Sequence, residues 1–183
     1  MDDLKLFSEG FLMEHKAEYI KKPKNLNQQD EDTCIICKII KRDKEVPTYE
    51  IFRTEKVIIF LNLYPYTVGH LLISPIQHIT GYEEFNSVLA SEFHFLLQKS
   101  VIMLKHYGKT ESLNVGWNQG NYSGGSIKHF HVHVVPRYHN DISFIDIISK
   151  TRPVIRSLEN TQRDLLRYTE FLEGKSELIN LDV

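Results

Sequence analysis

A chain of 183 residues that is 42% hydrophobic and 11% aromatic has the length and composition of one globular domain with a real core, which excludes a largely disordered polymer. A formal net charge of −2, with the short basic run at residues 38–44 offset by Glu45 and Glu50, excludes the electrostatic footprint of a nucleic-acid binder. The opening "MDDLKLFSEG" is acidic and the uninterrupted apolar runs are too short to span a bilayer, so a soluble cytoplasmic protein without membrane partners is expected.

In chain order, residues 1–32 read as an N-terminal arm. Leu4, Phe7, Phe11, Leu12, His15 and Tyr19 fall at helix-like spacing, and the polar "KKPKNLNQQDED" follows as a connector. Residues 33–150 read as the main domain. Its first feature is Cys34 and Cys37, the chain's only cysteines, in a C-x-x-C spacing that points to metal or redox chemistry rather than a structural disulfide. "YEIFRTEKVIIFLN" predicts two strands turning at residues 53–56, and "GHLLISP" a third that ends before Pro75. "EEFNSVLASEFHFLLQKSVIMLKHYG" predicts the main helix, with an apolar stripe from Phe85 and Val88 to Val101 and Leu104 closed by Gly108. "SLNVGWN" predicts a fourth strand, leading through "QGNYSGGS" into another. Residues 151–183 supply a last helix, with Pro153 in its first turn and Gly174 at its end. Hairpin strands with few long helices between them predict a mostly antiparallel α+β domain.

The strand after the glycines reads "HFHVHVV". Alternation places His129, His131 and His133 on one side of a sheet and Phe130, Val132 and Val134 on the other, one side for chemistry and one for core. A neutral imidazole attacks phosphorus near neutral pH and leaves readily from the product, so this is a suitable side chain for phosphoryl or nucleotidyl transfer. Gly124, Gly125 and Ser126, just upstream, can bring backbone N–H groups and a hydroxyl against phosphate, or simply make a turn between strands. The C-x-x-C pair alone offers two zinc ligands where a closed structural site takes four.

"HFHVHVV" resembles the signature of the histidine triad (HIT) family, and the likeness extends over "NVGWNQGNYSGGSIKHFHVHVVPRYHNDISF", "FLNLYPYTVGHLLISPIQH" and "CIICKII". The branch resembled is the one acting on dinucleoside polyphosphates. The resemblance implies a HIT-like fold, a five-stranded antiparallel sheet with a long helix and a C-terminal helix, and homodimers paired through long helices and strands. It places the nucleophile on His131, which would form a nucleotidyl-histidine at the α-phosphate, resolved by water or inorganic phosphate. His133 takes the role of acid and phosphate donor, with a structural imidazole as its alternative. Asn118 and the segment Gly124, Gly125 and Ser126 fall where relatives bind phosphate, and Asn62 where they bind ribose. Phe60 either lines the base pocket or is ordinary core. His70 matches a family position read as core-stabilising. In zinc-containing relatives the four ligands match Cys34, Cys37, His78 and His129, a structural site. No organic cofactor is implied.

After the triad the chain keeps the branch's pattern at Arg137, Asp141 and Phe144 but departs at Tyr138, Asn140 and Ser143, which opens the choice of substrate and of second-step acceptor. A nucleotide sensor with negligible turnover, a phosphoramidate hydrolase and a triad-bound metalloenzyme are the competing functions.

Overall fold

The computed structural model describes residues 31–139 and 156–178. Among these residues, five strands form one antiparallel sheet in the order β1-β2-β3-β5-β4. The strands are β1 (Glu50–Arg53), β2 (Val57–Leu61), β3 (Leu71–Pro75), β4 (Ser112–Gly116) and β5 (Val132–Arg137). The helices are α1 (Ile35–Ile40), α2 (Ser87–Gly108), α3 (Leu158–Leu165) and α4 (Thr169–Leu172), with single 3-10 turns at Tyr82–Glu84 and Leu166–Tyr168. This is the expected antiparallel α+β architecture. Readings that fall on the N-terminal arm, and those at Asp141, Phe144 and Pro153, lie outside the described residues.

The sheet is covered on both faces, and the period of two sorts its side chains between them. Val57, Ile59 and Leu61 of β2, with Leu71 and Ile73 of β3, enter the main core under α2 together with Phe93, Leu96 and Leu104. Ile58, Phe60 and Leu72 instead meet Ile36, Cys37 and Ile39 of α1 on the opposite face. All five residues of β2 are therefore buried, each large aliphatic or aromatic side chain contributing about 1.5–3 kcal/mol. The C-terminal segment belongs to the main core: Leu165, Tyr168, Phe171 and Leu172 are buried there, and the Tyr168 hydroxyl lies 2.8 Å from His106 Nδ1. No described helix is long and apolar enough to cross a membrane.

Three local expectations are corrected. First, the long helix starts at Ser87, because Asn86 Oδ1 accepts the Leu89 N–H at 2.9 Å and caps it there, leaving Tyr82–Glu84 as a separate turn. Second, Gly108 is the last helical residue, and the left-handed cap is Lys109 at φ 46°. The glycine serves close approach, since a Cβ at Gly108 would stand 3.0 Å from the Tyr138 ring and hydroxyl. Third, β5 begins at Val132, so His129 and His131 precede the ladder. There the Ser74 hydroxyl donates to Phe130 O at 2.8 Å, and Phe130 N–H donates to Ile79 O at 2.6 Å, side-chain and loop bonds replacing strand pairing.

Candidate active site and metal cluster

Antiparallel partners share a face, and His133 pairs with Leu72 on one side and Gly116 on the other. Because Leu72 belongs to the α1 face, His133 does too, while Val132 and Val134 enter the main core. His131 and His133 stand with ring centroids 4.9 Å apart, nearly edge to face.

Each ring has an assigned tautomer. His131 Nδ1 lies 2.8 Å from the carbonyl oxygen of His129, an acceptor only, so Nδ1 carries the proton and Nε2 the lone pair. Burial, with 5% of His131 exposed, holds its pKa below the ordinary imidazole value and favours that neutral form. The Tyr66 backbone N–H, a donor only, reaches His70 Nδ1 at 3.1 Å, which leaves the neutral His70 protonated at Nε2. That Nε2 lies 3.0 Å from His133 Nδ1 and donates to it, so His133 carries its own proton on Nε2. A nucleophilic nitrogen and a donor N–H thus stand side by side. Sequence reading gave His70 a core role; its bond to His133 joins residues 63 positions apart and leaves no signature in either segment.

On the same face, the unforeseen helix α1 brings the cysteines together: Cys34 is its N-cap and Cys37 lies in its first turn, so both thiols face one way. Cys34, Cys37, His78 and His129 place one ligand atom each within 4.8 Å of one another. The S···N separations are 3.1 Å (Cys37 to His78), 3.4 Å (Cys37 to His129) and 3.7 Å (Cys34 to His129). Tetrahedral zinc with ordinary bond lengths sets such edges at about 3.5 Å, so the donor set fits that ion. His129 Nε2 donates to Pro75 O at 3.0 Å, which turns Nδ1 and its lone pair toward the thiols. Burial, and then the charge of His78, lowers the His129 pKa to about 4. Burial, and then the neighbouring Cys34, pushes the Cys37 thiol up to about 12.

The remaining expected residues are spread along this face and its loops. Gly125 lies against Asn118, where a Cβ would meet the Asn118 Cβ at 3.0 Å, and Gly124 has φ +81°, open to glycine at no strain. Asn62 Oδ1 accepts the Tyr64 N–H at 3.0 Å, and its amide nitrogen lies 3.4 Å from His70 Nδ1, so this side chain organises the turn beside the relay. Phe60 is 2% exposed within the α1 cluster and presents almost no surface to a ligand.

A family model described as HIT domain matches residues 43–140, more than half of the chain. A curated relative, AP-4-A phosphorylase of Mycobacterium tuberculosis, is 36% identical over 114 residues, or 62% of this chain and 58% of the relative. The chain thus spans less than two thirds of that relative's length. Among solved structures, a hypothetical histidine triad nucleotide-binding protein from Sulfolobus tokodaii aligns with TM-score 0.63 and 28% identity over 80% of this chain and 96% of its own. A Zn-bound histidine triad family protein from Mycobacterium smegmatis aligns with TM-score 0.62 and 22% identity over 80% of this chain and 100% of its own, a likeness of fold.

Proposed function

The chain belongs to the histidine triad (HIT) family, and on that premise we propose that it is a nucleotide hydrolase or nucleotidyl transferase cleaving dinucleoside polyphosphates such as diadenosine tetraphosphate at an α-phosphate. The observation that carries this reading is the pair of fixed tautomers, His131 with its lone pair on Nε2 and His133 with its proton on Nε2. In the first step His131 Nε2 bonds to the α-phosphorus while the bridging P–O bond breaks, and the departing phosphate leaves as an anion that accepts a hydrogen bond from His133 Nε2–H. In the second step water or inorganic phosphate displaces His131 from phosphorus, which returns the lone pair to Nε2, and the acceptor's proton is lost to solvent. Asn118, Gly124, Gly125 and Ser126 hold the phosphates and Asn62 the ribose, while Phe60 takes the core role of its two readings.

Cys34, Cys37, His78 and His129 hold a structural zinc ion, a cross-link between α1, the segment after β3 and the lead-in to β5. Relatedness to an AP-4-A phosphorylase supports the substrate class. The protein works in the cytoplasm as a homodimer paired through α2 and the edge strand β4.

Incubation with diadenosine tetraphosphate, with and without phosphate, tests the reading. AMP plus ATP in plain buffer identifies a hydrolase, and ADP plus ATP only with phosphate a phosphorylase. Intact substrate in both conditions refutes it.

A further inference from the structure

Residues 62–70, the turn between β2 and β3, are fastened to the far end of β5 by side chains rather than by strand pairing. The ladder between β3 and β5 ends at the Leu71–Val134 pair, and Pro136 stands two residues further along β5. A proline has no N–H, so its carbonyl is the one main-chain group it can offer a neighbour. Thr67 takes it: its hydroxyl donates to Pro136 O at 2.8 Å, from a residue only 7% exposed. The branched side chain has few rotamers to lose in holding that bond. Just beyond, the Tyr138 hydroxyl donates to Val68 O at 2.9 Å. The end of β5 thus grips two consecutive residues of the turn, once as acceptor and once as donor. Gly69, at φ +84°, lets the chain double back beside them, where a Cβ would stand 3.4 Å from Pro136 Cγ.

The gripped residues directly follow Tyr66, whose N–H reaches His70 Nδ1 at 3.1 Å. The Tyr66 ring also stacks on His70, with centroids 4.8 Å apart, and lies 6.3 Å from the His133 ring. His70 N–H donates to Thr67 O at 3.2 Å, and its carbonyl accepts the Asn62 N–H at 2.9 Å. The path therefore closes on itself. Pro136 of β5 holds Thr67, the adjoining Tyr66 sets the His70 proton, His70 sets the His133 proton at 3.0 Å, and His133 is itself on β5.

Resting on the nucleotide reading for its kinetic consequence, we infer that Thr67 is a positioning residue for the reaction. It acts through Tyr66 and His70 on the proton that His133 carries, with Tyr138 as the outer grip on the same turn. The bond that does this spans 69 positions of sequence and lies on neither triad imidazole.

Thr67→Val removes the hydroxyl and keeps the branched shape, whereas Thr67→Ser keeps the hydroxyl. Nitrogen-15 shifts of the His133 ring are read on the ligand-free full chain, beside thermal melting and steady-state kinetics with diadenosine tetraphosphate. In the wild type His133 Nδ1 is expected to carry no proton. In Thr67→Val its signal should move toward the protonated value, with kcat lowered by about tenfold and KM within about twofold. Thr67→Ser should restore both, and Tyr138→Phe should move the signal the same way by less. Where Thr67→Val does not fold, Tyr138→Phe decides by the same signal. A protonated Nδ1 in the wild type overturns the inference. An unchanged signal in folded Thr67→Val does so too, and assigns Thr67 to stability alone. A wild-type protein that leaves the dinucleotide intact removes the nucleotide reading, while the ring signal still decides whether Thr67 sets the tautomer.

Discussion

His70 donates from Nε2 to His133 Nδ1 across 3.0 Å, and the Tyr66 backbone N–H, 3.1 Å from His70 Nδ1, dictates that direction. The proton that His133 offers is thus set by a backbone group two residues removed from it in the relay. His70→Phe should lower kcat by about 10–100-fold with little change in KM, since the substitution leaves the triad in place but unfixes one tautomer. His70→Gln, which keeps a donor, should recover part of the loss. A rise in KM at unchanged kcat would assign His70 to binding instead.

In the proposed mechanism neutral His131 is the reactive form, and burial holds its pKa below the ordinary imidazole value. A lowered pKa extends the neutral population toward acid, so the acidic limb of the pH profile for kcat/KM should lie below that of a free imidazole. His131→Ala should reduce turnover of diadenosine tetraphosphate by more than about 10⁴-fold. A variant retaining a tenth of the activity would exclude the covalent mechanism.

Zinc binding must remove the proton from Cys37, whose thiol burial pushes up to about 12. Titrating zinc into metal-free protein should release protons, seen as a binding enthalpy that changes with buffer ionisation enthalpy. At free zinc about 1,000-fold above Kd, the melting temperature should rise by roughly 10 °C. Cys37→Ala should abolish both effects.

In the metal-free protein, His129 is neutral when folded, with its pKa lowered by burial to about 4 from the ordinary imidazole value of 6.5. The unfolded chain binds more protons between those values, so folding stability is fully present above pH 6.5 and falls as pH drops toward 4, by about 3 kcal/mol from this group. Urea titrations across that range on the metal-free wild type and on His129→Gln measure the difference. Parallel pH dependences would remove His129 from the account.

Ser100 sits fully buried on the core side of α2, and its hydroxyl has no hydrogen-bond partner among the described residues. Ser100→Ala removes an unsatisfied polar atom and improves helix propensity, so it should stabilise the protein by about 1 kcal/mol. Denaturant midpoints decide this, and a loss of stability would reveal a partner for the hydroxyl.

The strands were legible because their chemistry is local: the continuous, largely β-branched apolar run "VIIFL" and turn residues at 54–56 suffice to place β1 and β2. The cluster of Cys34, Cys37, His78 and His129 was legible only through resemblance, as no spacing relates a helix cap to a residue 95 positions away. Helix α1 was missed because "IICKII" is rich in β-branched residues and adopts a helix through its tertiary setting against β2 and β3. The start of β5 was misplaced because Ser74 and Ile79 take backbone bonds that a ladder would otherwise hold.

One residue serves two assemblies. The His129 ring turns Nδ1 to the cysteines, while its main-chain oxygen receives the His131 Nδ1–H at 2.8 Å. Ligand and clamp are a single unit of backbone. On the proposed reading, any shift of that residue that relaxes a zinc cross-link would also move the oxygen that fixes the His131 Nδ1 proton, so that fold integrity and readiness for reaction would rise and fall together.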